Sequence, residues 1–157
     1  MKKSSKRLLP VIISFFALVA VVLSLALPFM YSSLDDAYIV GFCMIFGATY
    51  KFSSAATSTN VHITFSWGLF IGLIIALLCA LYSFFVCRKT NKANSIITFL
   101  FLVASSVLFF LAPRFCQESI QANLGYLSSV EMSFGSYVVA SLLGIDALLA
   151  LVDTCKK

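Results

Sequence analysis

The chain is short of charge. Of its 157 residues only 11% are Asp, Glu, Lys or Arg, six acidic and eleven basic, whereas 61% are hydrophobic. A monomer of that composition could not present a polar enough surface to stay dissolved in water, so a bilayer must be its solvent. Histidine is almost absent: His62 stands alone, which excludes a His-rich metal site. No Asn-x-Ser/Thr acceptor exists, since Asn60, Asn91, Asn94 and Asn123 all lack a hydroxyl two residues on. No nucleophile–base constellation, phosphate loop or dinucleotide fingerprint can be assembled either. These absences argue against an enzyme, and nothing in the sequence calls for a cofactor or a metal.

What the chain has in abundance is uninterrupted apolar sequence. Residues 8–31, 65–87, 95–113 and 134–152 form runs of 24, 23, 19 and 19 residues that contain one charge, Asp146. A helix needs roughly 20 residues to cross about 30 Å of hydrocarbon. The expected fold is therefore an all-α membrane protein, a four-helix transmembrane bundle running antiparallel, up and down. Connections this short leave no room for a second core, so residues 1–157 form one membrane domain.

Charge placement orients it. Lys2, Lys3, Lys6, Arg7, Arg88, Lys89, Lys92, Lys156 and Lys157 lie at the termini or in the turn 88–94, which is nine of the eleven basic residues. Only Lys51 and Arg114 occupy the other connections, alongside Asp35, Asp36, Glu118 and Glu131. Because Lys and Arg are retained on the inner side, both termini and that turn should be cytoplasmic and the loops 32–64 and 114–133 should face out, in the plasma membrane. The net charge of +5 thus follows the membrane rule and is no sign of a nucleic-acid partner. A cleaved signal peptide is the weaker reading of the first run, which exceeds the 7 to 15 residues of a signal core.

The first outer loop holds a further apolar run, 37–48, too short to span. A half-buried hairpin, an interfacial helix or a re-entrant piece are the alternatives, with Gly41 and Gly47 among β-branched and aromatic residues favouring extended structure. Val61, Ile63, Phe65 and Trp67 alternate with His62, Thr64 and Ser66, the period of a strand with one covered face. A small sheet from residues near 38–52 and 60–66 is expected, with Trp67 at interface level. In the second outer loop, Ile120, Leu124 and Leu127 suggest one short amphipathic helix.

Small residues mark packing faces. Gly68, Gly72, Ala76 and Ala80 recur every fourth residue in the second span, echoed by Ser136, Ala140 and Gly144 in the fourth. In lipid, close backbone approach must hold helices together, and small side chains permit it. Packing inside one bundle is the first reading and a homo-oligomer or unknown membrane partner the second. Asp146 is the one intramembrane acid, roughly 10 Å along the helix from Asp153. It is either a proton or cation site or a neutral carboxyl bonded to Ser14, Cys79, Tyr82, Ser105 or Ser106 at matching depth. Cys43 and Cys116, one per outer loop, leave a stapling disulfide and two free thiols both open. Cys79, Cys87 and Cys155 would lie in or below the membrane. Thiol exchange needs two thiols within reach, so an oxidoreductase ranks last.

Gly41-Phe42-Cys43-Met44-Ile45-Phe46-Gly47, followed by Phe65-Ser66-Trp67-Gly68-Leu69 opening a span, resembles the uncharacterised small four-span membrane proteins of Gram-positive bacteria. The order of a long outer loop, short inner turn and shorter outer loop is also similar to claudin and peripheral-myelin-type tetraspans. Those carry a Trp, a Gly-Leu-Trp and two Cys in the first loop, whereas this loop has Cys43 alone. The likeness therefore implies architecture and no barrier function. The first expectation is a non-enzymatic structural or accessory component acting through partner contacts. Its alternative is a small proton- or cation-coupled transporter or channel using Asp146.

Overall fold

The structure, a computed structural model, describes residues 5–33, 36–54, 57–85, 92–121 and 130–156. It is mostly helical. In chain order the elements are α1 (Ser5–Ala26), β1 (Pro28–Ser32), β2 (Ala37–Val40), α2 (Gly41–Phe46), β3 (Ala48–Ser54) and β4 (Thr57–Ile63). Then come α3 (Trp67–Phe85), α4 (Lys92–Phe110), α5 (Ala112–Ser119), β5 (Ile120–Gln121), β6 (Val130–Met132) and α6 (Gly135–Lys156).

Four of these helices, α1, α3, α4 and α6, are long and apolar enough to cross a membrane. Each packs on two others: α1 on α3 and α6, and α4 on α3 and α6. Their outward faces stay apolar, with Phe15, Val22, Leu78, Phe85, Leu100 and Leu148 exposed. Rings and aliphatic chains on that scale would be costly in water but cost nothing in hydrocarbon. The helix ends follow local chemistry. Pro28, which cannot donate an N–H, stands just past the end of α1 and opens β1 instead. Pro113 sits in the first turn of α5, just after the ladder of α4 breaks at Leu111.

The two connections expected to face out are woven together. The strands form two antiparallel three-stranded sheets, in the orders β2-β1-β6 and β3-β4-β5. Met30 pairs with Met132 and Ile63 with Ile120, so each sheet takes strands from both connections. Both therefore lie at the same end of the helices, as a cap. Beneath the cap Phe29, Met30, Ile39, Met44, Ile45 and Val61, all at most 2% exposed, continue the buried cluster that fills the space between the helices. Burying each such side chain from water is worth roughly 1.5–3 kcal/mol, a drive that helices would lack in hydrocarbon. Phe29 stacks edge-on against Phe109 at 6.2 Å and ties the cap to α4.

Two local expectations are corrected. The run 37–48 is neither one hairpin nor one helix: it splits into β2 and α2, and Gly47, at φ 85°, turns the chain into β3. The expected sheet from 38–52 and 60–66 is shifted toward its turn, a hairpin of β3 on β4 registered from Ala48 against Ile63 to Ser54 against Thr57. Val61 and Ile63 are buried and His62 exposed as the alternation required, but the strand stops before Phe65 and Trp67. Among the described residues the second connection holds one helix, α5, upstream of the stretch where a helix was expected. Ile120 belongs to β5, while Leu124 and Leu127 lie outside the described residues.

Candidate functional site

Helix α6 presents one inward stripe. Ser136, Val139, Ala140, Leu143, Asp146, Ala147, Ala150 and Asp153 are all buried, the spacing of three and four residues that one helix face requires. Asp146 and Asp153 share that stripe, two turns apart. Asp146 is 1% exposed, and neither carboxyl oxygen has a hydrogen-bond partner. Asp153 is 4% exposed and accepts a hydrogen bond from Ser95 Oγ at 2.6 Å. The hydroxyls of Ser83 and Ser136 are also without partners. Pro10, Ile13, Ser83, Ser95, Thr98 and Asp153 line a crevice at that end of the helices with no room for a water molecule.

The groups expected to satisfy Asp146 are engaged elsewhere. Ser14 Oγ donates to the Ala80 carbonyl at 2.8 Å, Ser105 to Gly72 at 2.7 Å and Ser106 to Ala140 at 2.8 Å. Tyr82 donates to Asn94 at 3.1 Å, and the Cys79 thiol lies 3.7 Å from the Thr98 carbonyl. The reading of Asp146 as a carboxyl bonded to one of these is therefore corrected. The reason is visible in the acceptors. Gly72, Ala80 and Ala140 all belong to the small-residue stripes, and a short side chain leaves its backbone carbonyl open to a serine on the facing helix. Both halves of this pairing are legible in the sequence, as serines at matching depth opposite small residues, and only packing joins them.

The stripes themselves lie between helices of the same chain. At Gly68 an added Cβ would meet the Phe115 ring, and at Gly72 it would meet Leu108 and Phe109. Ala76, Ala80, Ser136 and Ala140 are buried, while Gly144 has only Ser106 Oγ nearby, at 3.6 Å. Past Gly144 a groove of about 330 Å³ opens outward between α4 and α6, lined by Ser106, Phe110, Ala140, Ser141 and Gly144 among others.

Polar groups of the two long connections are dispersed. Tyr31 donates its hydroxyl to Asp36 at 2.7 Å, a bond that raises the phenol above its ordinary pKa, with desolvation and the negative charge of Asp36 adding. Glu118 pairs with Arg114 at 3.3 Å on the exposed side of α5. Asp35 lies outside the described residues. Cys43 and Cys116 are both free thiols, so the stapling disulfide is not formed; Cys79 and Cys155 are free as well, and Cys87 lies outside the described residues. Among the described residues no three His, Cys, Asp or Glu side chains come together.

No protein-family model, no curated protein and no solved structure matches this chain. Its function rests on the geometry.

Proposed function

We propose that the chain is a four-span plasma-membrane protein with both termini cytoplasmic, a non-enzymatic structural or accessory component whose outer cap is its working surface. The observation that carries this reading is the sharing of strands between the two outer connections, which builds one folded surface with buried side chains beneath it instead of two free loops. A pathway through the membrane needs polar groups and space along its length. Ser14, Ser105 and Ser106 spend their hydrogen bonds on neighbouring backbone, and the crevice beside Asp153 excludes water, which supports an accessory role over a channel. The layout shared with claudin-type tetraspans, and the likeness to Gram-positive four-span proteins, belong to the same proposal. The partner is a membrane protein or a second copy, and the groove beside Gly144 offers room for side chains of its helix.

The unpartnered carboxyl of Asp146 favours the second reading, a small proton- or cation-coupled transporter. Co-purification from native membranes in mild detergent separates the two. Substituting the exposed cap residues His62→Asp and Glu131→Lys should lose a stoichiometric partner that Asp146→Asn retains. Proton-coupled flux in vesicles that vanishes in Asp146→Asn, with folding intact, would move the assignment to transport.

A further inference from the structure

We propose that α2 lies in the outer interface of the bilayer, with Phe42 and Phe46 set among lipid headgroups and upper acyl chains, so that this side of the cap is held by lipid.

The level of α2 is fixed by hydrogen bonds at both ends. Gly41 N–H donates to the Leu27 carbonyl, one residue past the end of α1, and Ser66 N–H, one residue before α3, donates to the Ile45 carbonyl. The short helix therefore lies across α1 and α3 where their apolar spans stop. Gly41, Met44 and Ile45 face inward and are buried. Phe42 and Phe46, one turn apart on the opposite face, are 53% and 40% exposed.

These rings are not isolated. Phe46 contacts Phe42 at 4.9 Å and Phe70 at 5.9 Å, and Phe65 joins it to Trp67 at 4.9 Å. Trp67 is 70% exposed and opens α3. The aromatic surface of α2 thus runs without a polar break into the lipid-facing side of α3, where Ile71 and Ile74 are also exposed. No residue of α2 carries a charge. An amphipathic segment of this kind at span level, joined to a Trp, is what the bilayer interface accepts. Thr49 and His62, on the β3–β4 hairpin, are exposed and polar, which marks that part of the cap as the side in water. A protein partner then has the hairpin to itself, not α2.

The inference rests on the four-span reading for its bilayer, and one experiment separates their failures. Trp67 is the single tryptophan of the chain. The unsubstituted protein and two variants, Trp67→Phe with Phe42→Trp and Trp67→Phe with Phe46→Trp, are reconstituted in phosphatidylcholine vesicles brominated at shallow or deep acyl positions. Both variants should show blue-shifted emission, lost most to shallow bromines and little to aqueous iodide. Quenching of Trp67 by bromolipid, with residues 42 and 46 open to iodide, overturns the lipid contact alone. Protection of 42 and 46 from both quenchers also overturns it and indicates a second copy over α2. If bromolipid fails to quench even Trp67, the four-span reading itself fails.

Discussion

Ser105 donates its hydroxyl hydrogen to the carbonyl oxygen of Gly72 across 2.7 Å, and it reaches that carbonyl because Gly72 has no side chain to hold α4 away from α3. The same geometry repeats from Ser14 to Ala80 and from Ser106 to Ala140, so one device stitches three helix pairs. Ser105→Ala should cost about 0.6 kcal/mol, the mean for hydrogen bonds between membrane helices. Gly72→Leu should cost more, about 1–3 kcal/mol, because the added atoms collide with Leu108 and Phe109. Denaturation midpoints in mixed micelles measure both, and equal losses would mean that close approach is not what the glycine provides.

A second contrast lies between two other glycines. A Cβ at Gly41 would fall on the backbone carbonyl oxygen of Ser24, which cannot swing aside as a side chain could. Gly41→Ala should lower stability by about 1–3 kcal/mol and unseat α2 from the end of α1. At Gly144, only Ser106 Oγ approaches, at 3.6 Å. Gly144→Ala should be neutral or stabilising by up to about 1 kcal/mol, since Ala is the better helix former. Thermal unfolding of the two variants side by side checks the sign of each.

Asp146 should be dispensable for folding. A buried carboxyl without a partner carries a desolvation cost of about 1–3 kcal/mol, and a leucine there would remove it. Asp146→Leu is expected to hold or raise the denaturation midpoint. A marked drop would reveal a bonding role for the acid.

Thiol chemistry should divide the cysteines. Burial pushes the Cys116 thiol from its ordinary 9.0 up to about 12, and only a thiolate attacks a maleimide. Cys116 should stay unlabelled in the folded protein between pH 7 and 9, while exposed Cys155 reacts. The sign of the linkage follows. Unfolded Cys116 ionises near 9.0 and folded Cys116 near 12, so between those values the folded state binds more protons and stability falls as pH rises. Non-reducing peptide mass spectrometry should find Cys43 and Cys116 unbridged.

The long helices were legible because a run of apolar residues needs only length to announce a span, and Pro28 and Pro113 mark where two of the helical runs give way. The β3–β4 hairpin was legible in part, from the alternation of Val61, His62 and Ile63. The partners of the strands were not. β5 and β6 are two and three residues long, and pairings such as Ile63 with Ile120 join segments far apart in sequence that carry too little local pattern to announce themselves. At the candidate site, composition singled out Asp146 correctly as a buried acid. Its isolation depends on where five other polar side chains point, which only packing decides. Asp153, whose place in the sequence suggests a helix end in contact with water, is buried against Ser95.

The cap can serve a partner outside the cell only if it faces away from the cytoplasm. A membrane-impermeant maleimide on intact cells, with labelled positions read by peptide mass spectrometry, tests that directly in the Thr49→Cys variant. Cysteine at position 49, exposed on β3, should label from outside, and Cys155 only after the membrane is permeabilised. Labelling of Cys155 on intact cells, with position 49 protected, would contradict both the orientation and the outward role of the cap.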